Sequence, residues 1–233
     1  MKILAKLTTV ETKLLVREPG AVFALLLPLF ILVAFGGAIE EGDTVLLPIA
    51  VTMAISLVGL YLLPTTLATY RERGVLRRLS VTPVRPGNLL TVQLLLQLVL
   101  SVLGVTLLLV VGIGFLGAHG PGALRFLTAF ALGTAAMFSV GLLIAALASN
   151  GRSANGFGVL LFFPLAYLGG VMQPVDRMPD ILALIGEYTP MGALRQSLDD
   201  VWSGGVLALS PLVTMAVYAV VVSLVAARSF RWE

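Results

Sequence analysis

The chain alternates long, uncharged apolar runs with short polar segments. Six runs are long enough to cross the roughly 30 Å hydrocarbon layer of a bilayer as helices. They give predicted spans at about 21–39, 45–69, 89–117, 125–149, 154–172 and 206–227. The pattern therefore predicts an all-α polytopic membrane protein in which residues 1–233 form a single transmembrane domain.

Residues 1–18 separate apolar and basic side chains onto two helical stripes. The apolar stripe holds Ile3, Leu4, Leu7, Leu14 and Leu15, and the polar one holds Lys2, Lys6, Thr9 and Lys13. Such a helix lies on a membrane surface with its apolar side in the lipid. A plain solvated lead-in to the first span is the alternative, but the clean separation of the stripes favours an interfacial helix.

The polar connection at 173–205 contains two short stretches with apolar residues at helical spacing. The first stripe is Ile181, Leu182, Leu184 and Ile185, and the second is Met191, Leu194, Leu198 and Val201. Prolines and a Gly-Gly pair divide the two stretches. We therefore predict two short helices at the outer leaflet. The alternative is an ordinary surface loop, although loops seldom carry such stripes.

Composition and charge placement fix the environment and the orientation. Hydrophobic residues make up 58% of the chain and charged residues 12%. This composition excludes an ordinary soluble domain. Twelve of the fifteen Lys and Arg residues fall in alternate loops and at the two ends of the chain. These sites therefore face the cytoplasm by the positive-inside rule. The net charge of +3 is then a signal of topology and does not indicate nucleic-acid binding.

The predicted spans lack the residues that ion coupling, ATP hydrolysis or enzyme catalysis would require. Every ionisable side chain falls outside them or at their edges, whereas proton relays and ion coupling need such groups inside the membrane. The chain has no cysteine, no phosphate-binding loop and no hydrolase motif, and its single histidine, His119, falls in an outer loop. We therefore expect no catalytic or metal site, and any uphill transport must draw its energy from another subunit.

Charge gathers in the loop "YRERGVLRRLSVTPVRP" at 70–86, which holds six charged residues. As the plainest interpretation, it only anchors the neighbouring spans on the cytoplasmic side. If Tyr70–Ser80 is helical, however, its apolar and basic residues separate, and the helix would lie on the membrane surface. Pro83 and Pro86 then force a stiff return into the bilayer, so movement of this short helix would pass to both adjoining spans.

This loop, continued as "YRERGVLRRLSVTPVRPGNLL", resembles the permease subunits of type-2 ABC exporters, a group that includes bacterial drug, lipid and polysaccharide exporters. The segment "LGGVMQPVDRMPDILALIGEYTPMGALRQSLDDVWSGG" and the order of six spans carry the same resemblance. In that family the loop is the coupling helix that contacts the ATPase subunit. The resemblance assigns this role to Arg71, Glu72, Arg73, Gly74, Arg77, Arg78, Leu79, Thr82 and Pro83.

The resemblance also implies the assembly around this chain. It implies two cytosolic ATPase subunits that bind ATP and magnesium, and a second permease copy that is either identical or a sibling. Membrane lipids are the other expected partner, with no nucleic acid and no cofactor in this chain. The implied location is the bacterial cytoplasmic membrane, crossed several times with both termini inside.

Several polar and small residues within the spans are candidates for a transport path. Gln93, Gln97 and Ser101 share one face of the third span, where they suit either a polar entry to the path or hydrogen bonds between helices. Asn155 begins a glycine-rich and proline-containing fifth span, for which a bend beside a cavity and close packing are equal alternatives. Small residues four apart on the fourth span predict close helix packing; they are Ala131, Ala135 and Ser139, and Gly141, Ala145 and Ser149.

A path lined by aliphatic and neutral polar residues suits a hydrophobic or amphiphilic substrate better than a small ion. We therefore expect the transmembrane subunit of an ATP-driven exporter that works by alternating access. The competing hypothesis is a scaffold or assembly factor that recruits a cytosolic protein or anionic lipid through its basic loop. A passive channel is a third possibility.

Overall fold

The computed structural model describes residues 12–13, 17–36, 45–74 and 86–229. Within these ranges the regular structure is helical and no strand occurs. Eight helices are numbered here in chain order: α1 Pro19–Gly36, α2 Leu46–Glu72, α3 Pro86–Phe115, α4 Ala123–Leu147, α5 Gly151–Leu168, α6 Asp180–Glu187, α7 Pro190–Trp202 and α8 Leu209–Ser229. The predicted interfacial helix at 1–18 falls almost entirely outside the described residues, as do loop residues 75–85.

Five of these helices, α1 to α4 and α8, are long and apolar enough to cross a membrane. The prediction of an all-α membrane protein is thereby confirmed. Helix α5 has 18 residues, but Arg152, Ser153 and Asn155 in its first two turns lower its hydropathy. The described part of the chain thus has five candidate spans, and α5, which is as long as α1, is more polar than these five.

Helix α2 forms the centre of the bundle. Of its most apolar window 83% is buried inside the protein, against 28% for α1 and 22% for α8. It packs against α1, α3, α4, α5 and α7. A helix that is apolar on all sides can be surrounded in this way. Its one irregularity is a π-helical turn at Val58–Leu62, which lies where α2 meets α4 and α5.

Glycines set how closely the other helices approach α2. A Cβ atom on Gly141 of α4 would overlap the backbone carbonyl of Gly59, and one on Gly158 of α5 would overlap the carbonyl of Leu60. Both contacts fall within the π-helical turn. Backbones that touch in this way gain dispersion contacts along both helices, which is a main source of helix association in lipid. The close packing predicted for Gly141 is confirmed.

The two ends of the bundle differ. At one end, called the basic end here, α2 and α4 finish and α3 and α5 begin, near Arg71, Arg73 and Arg152. At the opposite end, α7 packs against α4 and α8. Its residues Met191, Leu194 and Leu198 are fully buried. The second apolar stripe of 173–205 therefore faces protein.

Side-chain contacts fix α7 at the opposite end. The indole Nε1 of Trp202 donates to the carbonyl of His119 at 3.0 Å, and the Trp202 ring meets Phe126 edge to face at 5.6 Å. The Arg125 guanidinium donates to the carbonyl of Gly204 at 3.0 Å. Helix α6, by contrast, exposes Ile181, Leu184 and Ile185.

Candidate functional site

An apolar cavity lies between α1, α2 and α5. Its volume is about 390 Å³. Aromatic and thioether side chains form most of its wall, as is typical of sites that hold hydrophobic small molecules. The lining residues are Phe23, Leu27, Met53, Leu57, Tyr61, Asn155, Gly158, Val159, Phe162, Phe163 and Met172.

Among the described residues that line this cavity, two bring hydrogen-bonding side chains to it. Asn155 comes from the second turn of α5, and Tyr61 comes from the π-helical turn of α2. The Tyr61 ring lies beside Phe23 of α1, with the ring centroids 6.2 Å apart. No aspartate, glutamate, lysine, arginine or histidine occurs among these lining residues. They therefore offer hydrophobic contact and a few neutral hydrogen bonds, and no fixed charge.

Helix α5 contributes one polar residue and one closely packed glycine to this wall. Asn155 faces the cavity, whereas Gly158 serves close packing on the Leu60 carbonyl while also lining the cavity. Helix α5 continues through Pro164 without a break and ends at Leu168. Gly170, with a φ of 73°, then turns the chain. Such a positive φ favours glycine, because a side chain would be strained there.

The three polar residues predicted on the third span are not part of this cavity. Gln93 donates from its Nε2 to the Tyr70 hydroxyl of α2 at 3.1 Å. This bond joins two helices, as in the second of the two interpretations given above. Gln97 and Ser101 are buried on the same face of α3 and have no hydrogen-bond partner among the described residues.

A second groove lies between α3, α4 and α8, with a volume of about 610 Å³. Ala131 and Ala135 line it and are exposed. The close packing predicted for these two alanines is therefore wrong, because α3 and α4 both pack on α2 but leave a gap between each other. Ser139 does serve packing, since its hydroxyl donates to the carbonyl of Tyr218 on α8 at 3.0 Å.

At the basic end, the last turn of α2 is bonded to the connection between α4 and α5. The Glu72 carboxylate accepts a hydrogen bond from the backbone N–H of Gly151, the first residue of α5, at 3.1 Å. The Arg71 guanidinium donates to the carbonyl of Ala146, in the last turn of α4, at 3.4 Å. We call this pair of contacts the α2 clasp. An acidic group at a helix N-terminus and a basic group at a C-terminus both complement the helix dipole.

Helix α5 has a second cap from within its own loop. The Asn150 side chain accepts from the N–H of Ser153 at 2.8 Å, and the Ser153 hydroxyl accepts from the N–H of Asn150 at 3.2 Å. This reciprocal pair is a capping box. Two of the N–H groups that a helix start leaves unbonded are therefore satisfied from different places, one by Asn150 and one by Glu72.

The start of the predicted coupling segment differs from expectation. Tyr70, Arg71 and Glu72 form the last turn of α2, and Arg73 and Gly74 end it in a turn. Gly74 has a φ of 64°, which breaks the α-helical path. A helix running unbroken from Tyr70 to Ser80 is therefore wrong, because a left-handed glycine ends a helix. The remaining residues of the predicted coupling set lie outside the described residues; they are Arg77, Arg78, Leu79, Thr82 and Pro83.

Sequence reasoning missed the aromatic wall of the cavity. Phe23, Tyr61 and Phe162 lie on three different helices, and nothing in the sequence shows that their side chains meet at one cavity. It also missed the partners of Arg71 and Glu72. The capping box, by contrast, has a sequence signal, because Asn150 is followed three residues later by the hydroxyl of Ser153 at the start of an apolar run.

The described helices, five of them long and apolar enough to cross a membrane, indicate a polytopic membrane protein. Residues 4–201 match the ABC-2 type transporter family, and the chain belongs to that family.

Among curated proteins, the chain is similar to a probable multidrug ABC transporter permease, YbhS, of Escherichia coli. The identity is 27% over 165 residues, for strain K12 and for O157:H7 alike. The match covers 69% of this chain and 43% of the relative, so the chain spans less than half the length of the curated relatives that it matches.

Proposed function

We propose that this chain is the transmembrane subunit of an ATP-driven exporter that moves a hydrophobic or amphiphilic substrate outward by alternating access. The observation that carries the proposal is the cavity between α1, α2 and α5, with its volume of about 390 Å³. A cavity of this size suits a drug-sized or lipid-like molecule. Its apolar wall has Asn155 and Tyr61 as neutral polar groups. Such a wall gives no fixed charge to bind a small ion.

In the proposed assembly two ATPase subunits, which bind ATP and magnesium, meet the basic end of two permease copies. The loop that begins at Arg73 would contact the ATPase, with Arg77 and Arg78 as its basic face. Both termini and this loop would lie in the cytoplasm of a bacterium, since most of the basic residues gather there. Helix α5 would complete a set of six spans, which together form a single transmembrane domain over 1–233.

Membership in a transporter family supports the proposal, and so does the name of the E. coli relative, which refers to multidrug transport. The positions of most Lys and Arg residues support a cytoplasmic location for the loop at 70–86. No aspartate, glutamate, lysine, arginine or histidine occurs among the described residues that line the cavity. This supports an external energy source, because a coupling ion would need such a group inside the membrane.

The test begins with purification of the tagged chain from its own membranes. We expect a nucleotide-binding subunit in a fixed ratio and, after reconstitution in liposomes, ATP-dependent movement of ethidium or a fluorescent phospholipid. A preparation that consistently lacks such a subunit would support a scaffold instead. Movement of either probe by the chain alone, without nucleotide, would support a passive channel.

Reversal of charge in the loop tests the coupling role. In the proposed assembly Arg77 and Arg78 contact the ATPase, so the double variant R77E/R78E should abolish ATP-dependent transport while the chain still inserts and purifies normally. The matched control is R177E, which reverses an exposed arginine near α6 at the opposite end. Unchanged transport and ATP hydrolysis in R77E/R78E would contradict the assignment.

A further inference from the structure

Glu72 lies where the expected coupling loop leaves the bundle, yet its carboxylate is directed to another part of the same chain. It accepts a hydrogen bond at 3.1 Å from Gly151, which stands 79 residues further along. Arg71, the preceding residue, reaches the end of α4 through the carbonyl of Ala146. Arg71 and Glu72, which immediately precede the loop, are therefore bonded to α4 and α5, the two helices that flank residues 148–150.

Close packing reinforces this contact. A Cβ atom on Gly151 would overlap the Thr69 hydroxyl oxygen, so the first residue of α5 lies directly on the last turns of α2. Gly151 is buried and can move little against α2 without losing both contacts. In contrast, the Asn150 cap is local to the α4–α5 connection and makes no bond to α2.

The start of α5 is also close to the cavity. Asn155 lies one helical turn beyond Gly151 and lines the cavity, and Gly158, Val159 and Phe162 follow it on the same wall. Helix α5 is continuous over these residues. A rigid helix carries a displacement of its first turn to its later turns, so movement at Gly151 would change the shape of the cavity.

We propose that Glu72 is a positioning residue that transmits displacement of the cytoplasmic loop to α5, and through α5 to the cavity, by its hydrogen bond to Gly151. This inference rests on the proposed function, since it assumes that an ATPase moves the loop. It changes the expected role of Glu72, which acts inside the permease and does not itself hold the ATPase. The carboxylate is needed as an acceptor, and its charge is secondary.

Three variants separate these roles. Glu72→Ala removes the acceptor, whereas Glu72→Gln keeps a side-chain oxygen that can accept from Gly151 and loses the charge. Asn150→Ala is the matched control, because it removes a cap from the same helix end but leaves the bond to α2 in place. A merely structural role would make Glu72→Ala and Asn150→Ala behave alike.

The measurement uses the complete complex with its ATPase subunits and needs no identified substrate. The chain contains no cysteine, so Arg152→Cys and Gln196→Cys, both at exposed positions, can carry a pair of spin labels on α5 and α7. The label-to-label distance is measured by pulsed electron paramagnetic resonance with and without a non-hydrolysable ATP analogue. We expect a nucleotide-dependent shift in the labelled background, in Glu72→Gln and in Asn150→Ala, and loss of that shift in Glu72→Ala.

Other outcomes overturn the proposal. A full shift in Glu72→Ala would show that the bond to Gly151 transmits nothing. Loss of the shift in Glu72→Gln as well would make the charge the essential feature, and dissociation of the ATPase subunit from Glu72→Ala would make Glu72 a docking contact. A labelled background that purifies without any ATPase subunit would instead contradict the proposed function itself, which keeps the two failures apart.

Discussion

Gly141 on α4 lies against the backbone carbonyl of Gly59 on α2, so closely that a Cβ atom on Gly141 would overlap the carbonyl oxygen. This is where two extensively buried helices of the bundle cross. A backbone carbonyl cannot rotate away as a flexible side chain can, so any side chain at residue 141 must push the helices apart. The close approach of α2 and α4 at this crossing therefore requires a residue without a Cβ atom at position 141.

Gly141→Ala should destabilise the bundle by about 1–3 kcal/mol, the usual range for an overpacked core. The matched control is Gly156→Ala on α5, where a Cβ atom meets nothing within 4 Å. That change should be neutral or stabilising by about 0.5–1 kcal/mol, because alanine favours a helix over glycine. Thermal unfolding in detergent measures both, and equal stability of the two variants would contradict the crossing described here.

The cavity between α1, α2 and α5 can be filled without disturbing a tight contact. Val159 lines it and is 40% exposed. Val159→Trp should therefore occupy the space and weaken binding of Nile red about tenfold, which corresponds to about 1.4 kcal/mol. Ala131→Trp, placed in the groove between α3, α4 and α8, is the matched control and should bind the dye normally. Equal loss of dye fluorescence in both variants would show that the cavity is not the preferred binding site of the dye.

The fold could be predicted from the sequence where each segment responds to its own surroundings. An uncharged run long enough to cross the bilayer must satisfy its backbone internally in lipid, so helices at the positions of α1 to α4 and α8 follow from the runs alone. Helix α7 could be predicted from the helical spacing of its apolar residues Met191, Leu194 and Leu198, which are buried. Local composition was sufficient for these elements.

Pairing between helices could not be predicted, because it depends on contacts far apart in the chain. Ala131 and Gly141 belong to similar rows of small residues on α4, yet Ala131 lines an open groove and Gly141 packs on α2. Which row meets a neighbour depends on where α2 crosses. The candidate site was missed for the same reason, since Phe23 and Phe162 meet only through the packing of α1 and α5 on α2.

Glu18, just before α1, provides a test by pH. Burial raises the pKa of its carboxyl above the ordinary value of 4.5. A raised pKa means that the folded protein holds this proton more tightly, so stability falls as the pH rises from about the ordinary pKa through the raised one. Glu18→Gln should therefore unfold at a higher temperature than the parent at pH 7 and at the same temperature near pH 4.

The control for that measurement is Glu187→Gln, at an exposed residue of α6. Because water already solvates this side chain, the substitution should leave the unfolding temperature unchanged at both pH values. An identical response of the two variants to pH would show that the burial of Glu18 has no effect on stability.

Arg195 on α7 is the one arginine buried among the described residues, at 8% exposure, and it pairs with Asp199 one turn later. Desolvation lowers the pKa of its guanidinium to about 10, so the group is still charged at pH 7. Asp199→Asn should therefore leave a buried cation without its counter-ion and cost about 1–3 kcal/mol, with Asp199 itself partly screened by water.

Removing both charges should reverse most of that loss. In Arg195→Met/Asp199→Asn the methionine keeps the apolar bulk of the side chain, and no desolvated charge remains to be compensated. We expect its unfolding temperature in detergent at pH 7 to return close to that of the parent. If the double variant were as unstable as Asp199→Asn alone, the charge balance between Arg195 and Asp199 would not explain the loss of stability.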